Sequence, residues 1–301
     1  MLRGVSSVSN WFTAPKGLTS LGERERGIPK GIRPIGQVFD GEWGLPGHGE
    51  PKSSCGLIRF FGCLNVDQHP EGKAFVRFRK FSCKKPTCPV CWKSWAVREA
   101  KRISHRLSAW TVGKPIHLIL SVPSELYYLS VDKLKRKAYL ISQKVGFLGG
   151  TCIYHPFREV KSENSWYFSP HFHLIGFGWI TRVAENFVES GWVVKNAGIR
   201  ESVGATAFYQ LTHCGVWYGS GRKHSVTWFG RLSYSKLKVG SLREKESNLC
   251  PVCNGPLSSV VYLGSEQLPT VECDLLLNPA EWTYTRWNLP PDLWETKWDG
   301  R

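Results

Sequence analysis

The sequence predicts an α+β fold in which a mainly antiparallel sheet is covered by helices. Between residues 114 and 216 the hydrophobic pattern runs strand, helix, strand, strand, helix. The two consecutive strands, TCIYHPFREV and WYFSPHFHLIGFGWI, are separated by a short polar loop, so we expect them to pair as a hairpin. With 42% hydrophobic and 13% aromatic residues, the chain has enough apolar material for a buried core.

The remaining elements of this core follow from apolar runs and helix caps. The segment IHLILSV at 116–122 is nearly continuous in apolar residues, which is typical of a buried central strand. A helix is expected after Ser130, which could cap it, and Gly146 stands where it would stop. A second helix is expected to open at Ser202 and to run through about Gly215.

A basic segment precedes this core. Alternating apolar residues between Gly56 and Phe81 predict two short strands joined by a turn, and apolar residues at helical spacing from Trp92 to Leu107 predict a basic amphipathic helix. Residues 71–110 hold eleven Lys and Arg against two acids, within a chain of formal charge +16. The side chains expected to meet phosphate are those on the exposed faces of this helix: Lys93, Arg98, Lys101, Arg102 and Arg106.

The net charge and the cysteines indicate which partners and which kind of cysteine chemistry to expect. A pI near 9.5 favours a polyanionic partner, either nucleic acid or an anionic membrane surface. No apolar stretch is long enough for a membrane-spanning helix, and the N-terminus lacks the apolar core of a secretion signal. We therefore expect a soluble, cytoplasmic protein without a membrane partner, in which paired cysteines bind metal rather than form disulfides.

Three cysteines stand directly before the basic helix. Cys83, Cys88 and Cys91 have the CxxxxCxxC spacing, and CxxC is the short knuckle that places two thiolates on one tetrahedral zinc ion. Cys55 or Cys63 would complete this structural zinc site.

A second knuckle, Cys250 and Cys253, lies near the C-terminus. Its partners could be Cys273 and His224, or it could share one four-thiolate site with Cys88 and Cys91.

The pattern PHFHLIGFG contains the first candidate for catalysis. His171 and His173 are two residues apart, so on a strand both imidazoles project from the same face, while Phe172 and Leu174 enter the core behind them. Two imidazoles can hold a divalent ion from one side and leave its other positions open. On spacing alone, two surface histidines are the commoner explanation.

The following helix carries the second candidate. At 100° per residue, Tyr209 and His213 fall on the face opposite the apolar residues Ala207 and Leu211. A tyrosine on this face would present its hydroxyl to whatever the metal holds. The alternative is a half-buried tyrosine at the edge of the layer.

Three segments in this order, CKKPTCPVCWKSWAVREAKRI, PHFHLIGFGW and VGATAFYQLTHCGV, resemble the HUH endonuclease superfamily, in particular the rolling-circle replication initiators of archaeal plasmids and viruses. The resemblance covers roughly residues 55–260. It implies a HUH-type fold, a metal held by His171 and His173, and Tyr209 as the nucleophile. Because similar proteins of the archaeal type have a Cys-Gly pair upstream, as at Cys55 here, it also favours Cys55 as the fourth zinc ligand. Many members place a lysine three residues after the tyrosine, where this chain has Thr212, and the nearest basic side chain is His213.

The chemistry agrees with these residues. A phenol is a weak nucleophile at neutral pH and needs a metal-polarised phosphate as its target. Attack would leave a 5′-phosphotyrosine and a free 3′-hydroxyl, with Mg²⁺ or Mn²⁺ as the catalytic ion. A third ligand would come from the facing strand, where His155 is preferred over Glu159, or from Glu163 in the loop.

The expected protein is therefore a metal-dependent single-strand DNA endonuclease and strand transferase that nicks a replication origin. It lacks a P-loop signature, so a host helicase would unwind the duplex. The alternatives are a zinc-dependent nucleic-acid binding protein without catalysis, a phosphoesterase that uses water, and a transposase or relaxase of the same superfamily. The expected organisation is a poorly ordered arm (1–50), a zinc-binding region with the basic helix (51–110), a catalytic core (111–220), and a C-terminal zinc-knuckle region with an acidic tail (221–301).

Overall fold

The computed structural model describes residues 33–34, 39–40, 42–160, 162, 165–242 and 248–285. The strands in these ranges are β1 (Arg33–Pro34), β2 (Phe39–Asp40), β3 (Trp43–Gly44), β4 (Ile58–Cys63), β5 (Ala74–Lys80), β6 (Ile116–Ser121), β7 (Phe147–Val160), β8 (Ser165–Gly178), β9 (Val193–Ile199), β10 (Val216–Trp217), β11 (Val226–Gly230), β12 (Ser258–Tyr262), β13 (Cys273–Leu277) and β14 (Trp282–Tyr284). The helices are α1 (Trp92–Ser108), α2 (Val131–Lys144), α3 (Val183–Ser190) and α4 (Val203–Leu211).

The largest sheet has the strand order β11-β7-β8-β6-β9, with β1 added to β8, and every pairing in it is antiparallel. The expected hairpin is confirmed as β7 and β8, and the expected central strand is β6. Strand β7 begins four residues earlier than expected because Gly149 and Gly150 lie inside it. A Cβ at Gly150 would stand 2.3 Å from the carbonyl oxygen of Ile175, so only glycine allows this close approach to β8.

The two faces of this sheet bury different apolar clusters. Helix α2 packs with Phe172 and Leu174 on one face, as the alternation of β8 predicts. Helices α1 and α4 pack on the other face, against Ile153, Ile175 and Phe177. The histidines of β8 therefore face the α1–α4 side.

Helix α4 begins where the sequence predicts and ends earlier. The Ser202 side chain accepts a hydrogen bond from the Ala205 N–H at 3.3 Å, which caps the first turn. The helix ends at Leu211, before the expected Gly215. Helix α3 has no counterpart in the prediction, because it is only eight residues long and Asn186 is its one buried residue.

A second antiparallel sheet has the order β13-β5-β4-β12-β14. It pairs the expected N-terminal zinc region with the C-terminal region, so these two parts of the chain form one structural unit. Its core consists of five buried residues: Ala74, Val76, Phe78, Val260 and Trp282. Strand β11 joins the main sheet, so the core extends beyond residue 220.

The expected N-terminal arm falls mostly outside the described residues. Within its described part, Trp43 and Leu45 are each 6% exposed, and β3 pairs with both β2 and β10. The arm is therefore packed from residue 42, which corrects the expectation of loose order through residue 50. The acidic tail beyond residue 285 lies outside the described ranges.

The fold is an α+β arrangement of antiparallel sheets with four helices in the described ranges. In that part of the chain, no helix combines the length and the apolar character needed to cross a bilayer.

Candidate metal centre and nucleophile

Three buried histidines converge on the α1–α4 face of the main sheet. His155 of β7 pairs directly with His171 of β8, so both side chains and that of His173 project from the same face. One ligand atom from each lies within 4.8 Å of the other two. The three are 0%, 5% and 7% exposed. The structure thus brings together the three residues expected to hold the catalytic ion; Glu159 is exposed and outside this group, and Glu163 lies outside the described residues.

Hydrogen bonds orient two of these rings. The Nδ1–H of His171 donates to the carbonyl oxygen of Ser169 at 2.8 Å, which leaves Nε2 with its lone pair free. The Nδ1 of His173 lies 2.8 Å from the Nε2 of His117. Such contacts behind a ligand fix the direction of its ring.

His155 provides the test of whether a metal fits. Both of its ring nitrogens are buried without a hydrogen-bond partner among the residues that the structure describes. An unsatisfied buried polar group destabilises a fold by about 1–3 kcal/mol. A metal ion coordinated by His155 would satisfy one of these nitrogens, so the residues present fit a metal site.

The electrostatics of the cluster keep its imidazoles neutral. Burial, followed by the charge of Arg158, lowers the pKa of His171 to about 3. Burial and the neighbouring histidines hold the pKa of His155 and of His173 well below the ordinary value. Neutral imidazole is the form that binds metal. The cluster contains no carboxylate among the described residues, and an all-imidazole donor set suits zinc and the later first-row metals better than Mg²⁺.

The candidate nucleophile lies next to this cluster. Tyr209 is 63% exposed on α4, because Ala207 and Leu211 turn the opposite side of the helix into the core. Its ring centroid lies 5.0 Å from that of His213, which in turn lies 4.7 Å from that of His155. The side chain that connects the tyrosine to the histidine cluster is therefore His213.

The helix end explains the positions of these two residues. The Thr212 hydroxyl donates to the carbonyl oxygen of Tyr209 at 2.7 Å and lies 3.2 Å from the Nδ1 of His213. Burial lowers the pKa of His213 to about 4, so its ring is neutral at pH 7. Thr212, which stands where many members of the resembled family have lysine, therefore helps to end the helix.

Sequence reasoning missed His117 and Arg158. His117 interrupts the apolar run of β6, pairs with Ile175 of β8 and is 4% exposed. Burial, with the charge of Arg200, lowers its pKa to about 4. The sequence did contain a signal for His117. It is a polar residue in the apolar run of β6, and the alternation of that strand puts it on the face that carries His171 and His173. Arg158 follows an irregularity in the β7–β8 register that periodicity does not reveal.

The first cysteine cluster agrees with the prediction. The sulfur atoms of Cys55, Cys83, Cys88 and Cys91 lie within 4.8 Å of one another. Cys91 is the residue that precedes α1, so the cluster fixes the start of the basic helix. Burial alone would raise the pKa of the Cys91 thiol, but hydrogen bonds from Ser82 and Cys83 lower it to about 7. Four sulfur ligands at this spacing could hold a metal such as zinc.

The second cysteine cluster differs from the prediction. Cys250 and Cys253 meet Cys63 and His69, not Cys273 and His224, and they share no site with Cys88 and Cys91. Cys273 instead pairs with Phe78 in the second sheet, and His224 is exposed. The cause is the pairing of β12 with β4, which brings the C-terminal knuckle to the end of β4.

The geometry of this second cluster also suits a metal. The His69 Nδ1–H donates to the carbonyl oxygen of Lys73 at 2.8 Å, and its Nε2 lies 3.1 Å from the Cys253 sulfur. The sulfur atoms of Cys63 and Cys253 are 3.5 Å apart. His69 sits in the turn that the sequence predicts between β4 and β5, and its position there gave no sign of ligation.

The basic helix presents only part of its expected DNA-binding set. Lys93, Lys101 and Arg102 are exposed, whereas Arg98 is half-buried. Arg106 is 8% exposed and donates to the carbonyl oxygens of Leu232, Ser233 and Leu237 at 2.9, 2.9 and 2.7 Å. Arg106 was expected to contact phosphate, and that assignment is wrong for this fold, because its guanidinium is used to hold the 232–237 segment.

Comparison of the chain with protein-family models, with curated proteins and with solved structures finds no match. The interpretation of the site therefore depends on its own chemistry.

Proposed function

We propose that this protein is a metal-dependent single-strand DNA endonuclease and strand transferase of the HUH type. In this proposal Tyr209 is the nucleophile, His155, His171 and His173 hold the catalytic ion, and the reaction nicks a replication origin to start rolling-circle replication. A transposase or relaxase would use the same chemistry on a different DNA.

The observation that carries the proposal is the line of side chains from the buried histidines to an exposed phenol. His213 contacts both His155 and Tyr209, so the phenol lies one side chain away from the candidate ligands. A nucleophile must be accessible to a polymer substrate, whereas catalytic ligands must be held rigidly. Tyr209 is exposed and the three histidines are buried on a sheet, which meets both requirements.

The reaction would proceed by attack of the Tyr209 oxygen on the scissile phosphorus. The bond from phosphorus to the 3′-oxygen breaks, and its electron pair leaves with that oxygen, which takes up a proton to become a hydroxyl. His213, which is neutral, positions the phenol through its ring contact, and the phenolic proton passes to water at the exposed Tyr209. A bound divalent ion would withdraw charge from a non-bridging phosphate oxygen. Because one phosphodiester replaces another, the reverse reaction rejoins the strands without ATP.

The ligand set bears on the choice of ion. Three imidazoles, with no carboxylate beside them in the described part of the chain, favour a metal that accepts nitrogen ligands, and Mg²⁺ prefers oxygen. We therefore expect Mn²⁺ to support activity at lower concentration than Mg²⁺. The two cysteine clusters would hold structural zinc, and the exposed face of α1 would meet the phosphates of the DNA.

The test is the formation of a covalent adduct. The protein is incubated with labelled single-stranded DNA and Mn²⁺ and then run on a denaturing gel. The proposal predicts a shifted band that carries the label and that disappears in Tyr209→Phe. The matched control is Tyr128→Phe, because Tyr128 is 81% exposed and lies outside the site.

The other outcomes identify the rival functions. Cleavage without an adduct, retained in Tyr209→Phe, would overturn the proposal in favour of a phosphoesterase that uses water. Binding with neither cleavage nor adduct would overturn it in favour of a non-catalytic zinc-dependent nucleic-acid binding protein. The basic helix and the two cysteine clusters would suffice for that function.

A further inference from the structure

An arginine lies in the wall of the histidine site. The β7–β8 register shifts between His155 and Phe157, and beyond the shift Arg158 pairs with Tyr167. From the histidine pair to the next pair, β7 advances by two residues, from His155 to Phe157, whereas β8 advances by three, from His171 to Phe168, so the extra residue lies in β8. Alternation does not continue through such a bulge, and the position of the Arg158 guanidinium is given by its side-chain contacts.

The contacts of Arg158 place its charge beside His171. Its guanidinium donates from Nη2 to the hydroxyl oxygen Oγ of Ser121 at 2.7 Å and from Nε to the hydroxyl oxygen Oγ of Ser169 at 3.2 Å. Ser121 pairs with His171 across β6 and β8, and the carbonyl of Ser169 is the acceptor for the His171 ring. The depressed pKa of His171 has the Arg158 charge as its second cause after burial, which agrees with this proximity.

This charge has no counter-ion among the described residues. Every ion pair in that part of the chain involves other residues, and the partners of Arg158 are neutral hydroxyls. The side chain is half-buried, where a positive charge is less well solvated than at the surface. A metal on three neutral histidines would add two further positive charges close by. The combined positive charge would stabilise an anion bound at this site.

The hydroxyl partners distinguish Arg158 from the structural Arg106. Arg106 donates only to carbonyl oxygens, which have no hydrogen of their own to offer. When Ser121 accepts a hydrogen bond from Arg158, its own O–H remains a donor, and no acceptor for it lies among the described residues. Guanidinium N–H groups and a hydroxyl O–H next to each other match the oxygens of a phosphate.

We propose that Arg158 and Ser121 form a phosphate-binding subsite beside the histidine cluster, which holds a backbone phosphate of the DNA strand. The identity of the anion rests on the proposed function, whereas the subsite itself rests on the geometry above. Arg158 acts in it as a binding residue and takes no part in proton transfer.

The experiment measures the affinity for a fluorescein-labelled single-stranded oligonucleotide with Mn²⁺ across a series of salt concentrations. Arg158→Gln is expected to weaken binding and to reduce the slope of log affinity against log salt by about 0.7, the value for one phosphate contact on a single strand. Arg158→Lys should retain the slope, because it keeps the charge. Ser121→Ala should weaken binding without changing the slope.

The controls separate a binding role from a structural one. Arg136→Gln changes an exposed arginine on α2, on the opposite side of the sheet, and should leave binding unchanged. Mn²⁺ affinity, measured by calorimetry without DNA, should be the same in Arg158→Lys and Ser121→Ala as in wild type. In Arg158→Gln it should not fall, because the positive charge that is removed opposes the binding of a cation. An unchanged slope in Arg158→Gln would overturn the subsite. If that variant fails to fold, a slope lowered in Arg158→Lys, or affinity retained in Ser121→Ala, would overturn it.

The two proposals can fail separately. If the wild-type protein forms no adduct but Arg158→Gln lowers the slope of log affinity against log salt, the nicking activity is refuted and the subsite is supported. Wild-type adduct formation with an unchanged slope in Arg158→Gln would support the activity and refute the subsite.

Discussion

The histidine cluster and the two cysteine clusters differ in what supports them. The histidines lie on paired strands of a sheet with an apolar cluster on each face. The cysteines lie at strand ends and in turns beside a second sheet, whose core has five buried residues in the described part of the chain. A site on a rigid sheet can exist before its metal arrives, whereas turns with little apolar burial need the metal to hold them. Ligand type and local burial together therefore indicate which metal would stabilise the fold and which would take part in the reaction.

The largest expected effect comes from breaking the first cysteine cluster. Cys88→Ser should lower the free energy of unfolding by several kcal/mol, since structural zinc contributes about 10–16 kcal/mol of apparent binding free energy in small domains. It should also weaken DNA binding, because the cluster fixes the start of α1. Thermal unfolding and elemental analysis check this, with two zinc ions per wild-type chain expected. Protein purified without chelator that contains no zinc would contradict the assignment of both cysteine clusters.

An intermediate effect is expected at Arg106. Arg106→Gln should lower the free energy of unfolding by about 1–3 kcal/mol, because it leaves buried carbonyl oxygens without donors. Arg102→Gln, on the exposed side of the same helix, should change stability by less than about 0.5 kcal/mol and should reduce the salt dependence of DNA binding. Urea unfolding measures the stability of both variants, and DNA-binding titrations at several salt concentrations measure the salt dependence. Equal stability losses would show that Arg106 is not the structural residue its contacts indicate.

The sequence was sufficient for the elements whose periodicity is long and clear. The β7–β8 hairpin, strand β6 and helix α1 all follow from apolar spacing, and the HxH pattern alone places two imidazoles on one face. The first cysteine cluster could be predicted because three of its four ligands lie within nine residues of the chain.

What could not be predicted depends on contacts between distant segments. Cys250 and Cys253 meet Cys63 and His69 only because β12 pairs with β4, about 200 residues earlier in the chain. The sequence pattern puts Arg106 on the polar face of α1, which would be exposed if the 232–237 segment did not cover it. Arg158 reaches the site through hydrogen bonds to Ser121 on β6 and Ser169 on β8, and the nearby extra residue in β8 leaves no trace in the alternation of polar and apolar residues.

A smaller effect on stability, with a complete effect on activity, is expected at the histidines. Replacing both His171 and His173 with Ala should abolish nicking while the protein remains folded, because a metal on an open site adds little to folding. The loss of stability should be smaller than for Cys88→Ser. Circular dichroism measures folding and stability, and the adduct assay measures nicking. Rescue of normal rates by excess Mn²⁺ would contradict the assignment of these two residues as the principal ligands.

The most direct test of the account locates the adduct in the chain. Wild-type protein is incubated with single-stranded DNA and Mn²⁺, digested with nuclease and protease, and sequenced by mass spectrometry. Tyr209→Phe should be as stable as wild type, because it removes only an exposed hydroxyl, and it should yield no adduct. The account predicts a nucleotide linked through its 5′-phosphate to Tyr209 in the wild-type peptide. A nucleotide on Tyr218 or Tyr234, or none on any tyrosine in a preparation that cleaves DNA, would contradict it.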